Sequence, residues 1–255
     1  MFIGISKQTS IGNPLPSYHI QPGNTHCGNS DWGDCKRCRL YHTRNRVAIK
    51  RYGGSGHCRL LLIGEAAGEL ENKTGIPFVG TAGKILEQLL KLTHFQFQYC
   101  ITNTVGCRPV DVLFLDSAKD EELDDVDKFS LSDYILDVDY EIYNWNREPT
   151  KAEIELCKPH IDELMESFQP HGVVYLGKIA ESYTNPKYLI PTEKLISDPE
   201  SRLFRHSTYN NDWSWRHIPT LSLYHPAYIA RMEYKLLTVR KEAHKLDLFV
   251  ERFIG

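Results

Sequence analysis

A chain of 255 residues can bury one sizeable core, so one domain with decorations is the expectation. Its 41% hydrophobic and 25% charged residues are ordinary for a soluble globular protein, and no apolar run approaches the length of a membrane span. The formal net charge of −3 does not exclude a polyanion as partner, because it is unevenly spread. Between Asp111 and Glu148 stand 13 acidic and 3 basic residues, while the rest of the chain carries a balance of +7, which suits a mildly basic body.

Residues 1–26 are rich in Gly, Pro, Ser, Asn and Gln and read as a loosely ordered arm. The first residues lack a basic region followed by a long apolar stretch, so they do not read as a signal peptide. Seven cysteines in such a chain point to reduced thiols and a cytoplasmic setting, where clustered cysteines bind metal more often than they pair. After the tight pair Cys35-Lys36-Arg37-Cys38, the run Arg59–Ile63, ending at Gly64, predicts a strand buried on both faces. Ala82–Leu92 places Ile85, Leu86, Leu89, Leu90 and Leu92 at helical spacing. Tyr99–Val105, Gly172–Gly177 and Ile218–Leu223 predict three further strands. Between the second and third, Pro149-Thr150 opens a helix with Thr150 as N-cap and Glu153 completing a capping box. It runs through Cys157 towards Phe168, and a last helix covers about 233–253.

This alternation predicts an α/β fold with a central four-stranded parallel sheet between two helical layers, three layers in all. In such sheets functional residues gather outside the carboxyl ends of the strands. The first predicted strand ends at Gly64-Glu65, the second carries Asn103, and the fourth is followed by His225-Pro226. The turn Leu176-Gly177-Lys178 reads as packing. The stretch 111–148 is an acidic insertion, and its Tyr134, Ile135, Leu136, Tyr140, Ile142, Tyr143 and Trp145 predict that part of it folds onto the body.

Cys35 and Cys38 form a C-x2-C pair; Cys107 follows after 68 intervening residues and Cys157 after 49 more. Such a pair lets two thiolates reach one centre, and two more complete a four-sulfur site. Spacing alone does not choose between zinc and iron–sulfur, and Cys107 and Cys157 fit a buried apolar role equally well. Cys27, Cys58 and Cys100 fit that packing role better. Gly80-Thr81-Ala82-Gly83-Lys84 is not a P-loop, since Phe78 stands at the first glycine's place and Ile85 follows the lysine. The helix start there is still suited to a DNA phosphate.

Several segments together resemble the iron–sulfur (family 4) uracil-DNA glycosylases. They are Cys35–Leu40, Gly64-Glu65-Ala66-Ala67-Gly68-Glu69-Leu70-Glu71, Thr74–Gly80, Ala82-Gly83-Lys84, Ile101–Pro109, Pro149-Thr150 with Cys157, and His225-Pro226-Ala227-Tyr228. Their order matches, and the resemblance covers about residues 32–235 apart from the insertion. It implies the uracil-DNA glycosylase fold and a structural [4Fe-4S] cluster on Cys35, Cys38, Cys107 and Cys157. It also implies hydrolytic removal of a flipped uracil from DNA by a monofunctional enzyme acting as a monomer. Asn103 would read the O4 and N3–H of uracil, and His225 would donate to O2 as charge develops there. Phe78 would stack on the base, and Glu71 would crowd its C5 and reject thymine. Glu65 and Ala66 would hold the base and the attacking water, with Glu65 orienting that water. Tyr228, Ile229 and Arg231 would contact DNA, Ile229 as the apolar wedge and Arg231 at a phosphate. The family usually has proline at the position of Ala67, so a looser turn is expected here.

Two other readings keep the fold. One is a glycosylase for a modified pyrimidine, for example in phage DNA, with Ala67 and the insertion reshaping the pocket. The other is a non-catalytic DNA- or protein-binding module. The insertion is either a site for a basic protein partner or a solvated loop. The setting is cytoplasmic, of prokaryotic or phage type.

Overall fold

The computed structural model describes residues 35–41, 48, 50–110, 112–114, 140–142, 146–182, 189–191 and 218–254. The expected N-terminal arm, Cys27 and the middle of the insertion lie outside them. Two short 3-10 turns, Cys35–Arg37 and Arg39–Tyr41, lead into the body. The strands are β1 (Arg51–Gly54), β2 (Cys58–Ala66), β3 (Phe97–Val105), β4 (Val112–Phe114), β5 (Tyr140–Ile142), β6 (Gly172–Leu176), β7 (Leu189–Pro191) and β8 (Ile218–Leu223). The helices are α1 (Glu69–Thr74), α2 (Thr81–Leu92), α3 (Lys151–Phe168), α4 (Pro226–Ala230) and α5 (Lys235–Phe253).

The main sheet has the order β1-β3-β2-β6-β8-β7. Its centre, β3-β2-β6-β8, is the expected set of four parallel strands. The sheet is wider than expected: β1 adds an antiparallel edge and β7 a parallel one. Arg51-Tyr52-Gly53-Gly54 is an edge strand without an apolar run, so its sequence carries no strand signal. The central strands read as continuous apolar runs because helices cover both faces. Leu60, Leu62, Val174 and Leu176 meet Ile85, Leu86 and Leu89 of α2 and Val239, Leu246 and Phe249 of α5. Leu61, Ile63, Val173 and Tyr175 face the opposite way, against Ile161, Leu164 and Met165 of α3. The α/β/α layering follows from that alternation.

α3 begins as its sequence predicts. Glu153 N–H donates to Thr150 Oγ1 at 3.2 Å, and Thr150 N–H donates to Glu153 Oε2 at 2.8 Å. The Arg147 fork adds bonds of 2.8 and 2.6 Å to the same carboxylate. Arg147 N–H also reaches Pro109 O at 3.1 Å, and Arg108 Nε donates to Asn146 Oδ1 at 2.6 Å. The insertion is therefore tied at its root, where the antiparallel pair β4–β5 begins and ends.

Burial pushes the Glu153 carboxyl up, but Arg147 and Thr150 outweigh it and the net shift is downward. Glu153→Ala is expected to cost about 2 kcal/mol at neutral pH through the lost cap and ion pair, read by urea denaturation. A carboxyl with a depressed folded pKa stabilises above its ordinary pKa and loses that effect as pH falls through the folded value. The gap between wild type and variant should therefore narrow in acid.

Candidate active site

Beyond the carboxyl ends of β2, β3, β6 and β8 opens a cleft of about 740 Å³, the expected place for a ligand in a parallel sheet. Glu65, Ala66, Glu71, Phe78, Asn103, His225, Tyr228 and Arg231 all line it.

Phe78 sits at its floor, 5% exposed, with φ +56°. A bulky side chain in the left-handed region is strained by about 1–3 kcal/mol and needs outside support. Arg51 Nη1 donates to Phe78 O at 2.9 Å, while its other nitrogen holds Glu87 at 2.6 Å. Glu71 Oε1 accepts from the next two backbone N–H groups, Val79 at 3.0 Å and Gly80 at 3.1 Å. Gly83 of α2 has no side chain to strike the Phe78 carbonyl that lies against it. Gly64 does the same for the ring: a methyl there would lie 2.5 Å from both the Phe78 ring and Asn103 Oδ1.

Asn103 is paired across from Gly64 and is 1% exposed. Its Oδ1 is buried and has no hydrogen-bond partner. A buried acceptor left empty carries a desolvation cost, and this one borders the cleft. It is placed to take a hydrogen from a ligand inserted over Phe78.

His225 is the N-cap of α4 and accepts from Ala227 N–H through Nδ1 at 3.1 Å. With Nδ1 an acceptor, a neutral ring carries its proton on Nε2 as a donor. Burial, assisted by the Arg231 charge, pulls its pKa down to about 4, so the ring is neutral at physiological pH. Its centroid is 6.1 Å from that of Phe78, the planes 39° apart. Gly177, at φ +92°, lets this ring approach, since a methyl there would stand 2.8 Å from His225 Cβ. The turn read from sequence as packing thus shapes the cleft.

Burial raises the Glu65 carboxyl, Glu148 raises it further, and Arg231 opposes them. Ala67 N–H donates to Val105 O at 3.3 Å, a bond proline cannot make, so the alanine gains a tie that offsets the expected loosening.

One expectation fails. Ile229 is fully buried in the core with α2 and α5 residues and cannot serve as an exposed wedge. The five-residue helix α4 turns Ile229 inward and leaves Tyr228 half exposed, its ring 5.7 Å from that of Tyr224.

The four cysteines meet on the β3 side of the molecule. Cys38 and Cys107 are buried with Leu40, Val105 and Ile154, and Cys35 and Cys157 pack against them; none is in a disulfide. Among the described residues, no three His, Cys, Asp or Glu side chains stand as a ready group for a single metal ion. Four thiols gathered in one apolar wall are the donor set that a four-sulfur metal centre or cluster requires. Cys100 is core, its thiol pushed up to about 12 by burial, and burial raises Cys58 too.

Arg51, which holds Phe78, escaped sequence reading, as did the buried His160, while Gly83 was read there only as part of a motif and not as a support for Phe78. Their partners are distant in the chain, so no local pattern marks them.

Residues 51–251 match the Uracil DNA glycosylase superfamily. A type-4 uracil-DNA glycosylase of Sulfurisphaera tokodaii is 31% identical over 153 residues, 58% of this chain and 52% of that protein. This match thus spans about half the relative's length. The type-4 enzyme of Saccharolobus solfataricus is 28% identical over 76% of this chain and 71% of its own. That of Thermotoga maritima is 27% identical over 77% and 78%.

The state of His225 is directly measurable. Nitrogen-15 NMR should show a neutral ring protonated at Nε2 from pH 8 down to about 4. A titration at the ordinary histidine value of about 6.5 would contradict the buried, N-capping geometry.

Proposed function

This chain belongs to the uracil-DNA glycosylase superfamily, and on that premise we propose that it hydrolyses the N-glycosidic bond of uracil in DNA. The observation that carries the reading is the empty acceptor of Asn103 beside the Phe78 ring. A uracil swung out of the helix would stack on Phe78 and give its N3–H to Asn103 Oδ1, while the amide nitrogen donates to O4.

As the C1′–N1 bond breaks, the electron pair leaves with the base and negative charge gathers on O2. The Nε2–H of His225 is the donor suited to that oxygen. A neutral ring donates from Nε2 while Nδ1 keeps its bond from Ala227 N–H, and a donor fixed in place before the charge develops costs no reorganisation. The sugar is left with oxocarbenium character and takes the oxygen of a water held near Glu65. Glu65 orients that water, and the displaced proton passes to solvent. Glu71 has two tasks: it holds the loop that carries Phe78, and it borders the C5 side of the base, where a methyl would crowd it. Tyr228 and Arg231 stand at the mouth for the DNA backbone and the unstacked site.

Cys35, Cys38, Cys107 and Cys157 would hold a [4Fe-4S] cluster, which when bound supplies a rigid clamp rather than a reacting group. Residues 27–255 would form one glycosylase unit, preceded by an arm and interrupted by the acidic insertion at 111–148. Among the described residues no helix is long and apolar enough to cross a membrane.

Purified protein should excise uracil from oligonucleotides, scored by alkaline cleavage at the abasic site. Asn103→Ala and His225→Ala should each slow single-turnover excision by about 10²–10³-fold. A panel of 5-substituted pyrimidines cleaved in preference to uracil would move the activity to modified bases, and DNA binding without any excision would make the chain a binding module. Because burial and the neighbouring Glu148 raise the Glu65 carboxyl above its ordinary value, the rate should rise with pH through that raised value, and Glu65→Gln should erase the rise. Native protein should contain iron and the broad visible absorbance of iron–thiolate bonds, both lost in Cys157→Ala. Zinc in place of iron would refute the cluster.

A further inference from the structure

We infer that His160 is a positioning residue for Asn103, tying the reading of the base to the cysteine site through α3. The inference rests on the proposed role of Asn103 in holding uracil.

His160 is 2% exposed. Its Nε2 lies 3.0 Å from the Asn103 carbonyl oxygen and 3.3 Å from Thr102 Oγ1. A carbonyl oxygen only accepts, so this nitrogen carries the ring proton and donates. The bond falls beyond Ile101, the last β3 residue paired with β1. At the level of Asn103, α3 supports the free side of β3 where the edge strand no longer does.

Position matters here because Asn103 has little room. Its Oδ1 and the Phe78 ring converge on the space above Gly64, where even a methyl would be 2.5 Å from each. A shift of the strand by a few tenths of an ångström would close the slot or move the amide off the base edge. Packing alone does not ask for histidine at this site. A leucine would fill it but leave the Asn103 carbonyl without this donor.

The elements joined by the bond are also the ones that carry two of the cysteines. Cys157 precedes His160 by one helical turn, and Cys107 follows Asn103 by four residues, just past β3. Between Cys157 and His160 stands Pro159, inside the helix and without an N–H. That turn of α3 lacks one of its own hydrogen bonds, so its placement leans on outside anchors. Whatever occupies the cysteine site fixes α3 against β3, and His160 carries that spacing to the amide.

The test uses the iron-loaded protein, with His160→Leu to keep bulk and His160→Gln to keep a donor. The readouts are inhibition by free uracil, affinity for an abasic-site oligonucleotide, iron content, and amide hydrogen exchange over residues 101–106. His160→Leu should weaken uracil inhibition about five- to tenfold, the worth of one hydrogen bond, and lower kcat. Iron content and abasic-DNA affinity should stay unchanged, and His160→Gln should restore most of the loss. Exchange at 101–106 should rise in His160→Leu, and it should also rise in wild type when the iron is removed. Unchanged uracil inhibition, parallel loss of abasic-DNA affinity, no recovery in His160→Gln, or exchange indifferent to iron would each overturn the inference. If wild type neither excises nor binds uracil, the proposed activity fails, and the exchange measurement still decides the tie. Should His160→Leu not fold, wild type with and without iron answers the same question.

Discussion

The cleft is organised by a missing side chain at the end of β2. Gly64 leaves a space that the Phe78 ring enters from one side and the Asn103 amide from the other. Each comes from a separate element, and each is held by its own set of partners. Phe78 keeps a left-handed backbone through Arg51, Glu71 and Gly83. Asn103 keeps its register through β2 on one side and His160 on the other. Strain and an empty acceptor, both unfavourable in an ordinary core, stand within one contact of each other. Such costs persist where the surrounding structure over-determines them.

Burial acts on two titratable groups of the cleft, Glu65 and His225, in opposite senses of pKa but to one end. It raises the Glu65 carboxyl and lowers the His225 imidazole, so both charged forms are disfavoured. Arg231 works on both as well, favouring the carboxylate and discouraging the imidazolium. The two shifts leave an uncharged ring at His225 and, at Glu65, a carboxyl that ionises less readily than an exposed one.

Much of the fold was legible because the central strands are apolar on both faces and the helices between them are amphipathic. The Thr150–Glu153 box was legible because its partners lie three residues apart. The edge strand β1 was not, since Arg-Tyr-Gly-Gly owes its place to pairing with β3 rather than to its own propensity. The site residues came into view through whole motifs; neither Phe78 nor His225 would have stood out from spacing alone. Ile229 was misplaced because α4 is too short for periodicity to set its inward face. His160 resembled any helical histidine, and only the packed α3–β3 contact shows what its ring touches.

The tie at the root of the insertion separates two properties that chains usually couple. Arg147 and Asn146 return the backbone to Arg108 and Pro109 whatever lies between, and the same segment goes on to line the cleft with Glu148. The closure entropy of a surface loop grows slowly with its length, about 0.6 kcal/mol for each doubling. Evolution can therefore grow, shrink or recharge this segment as a graft while the rim it springs from keeps its shape. The length and charge of the acidic stretch can change without asking the rim of the cleft to adapt.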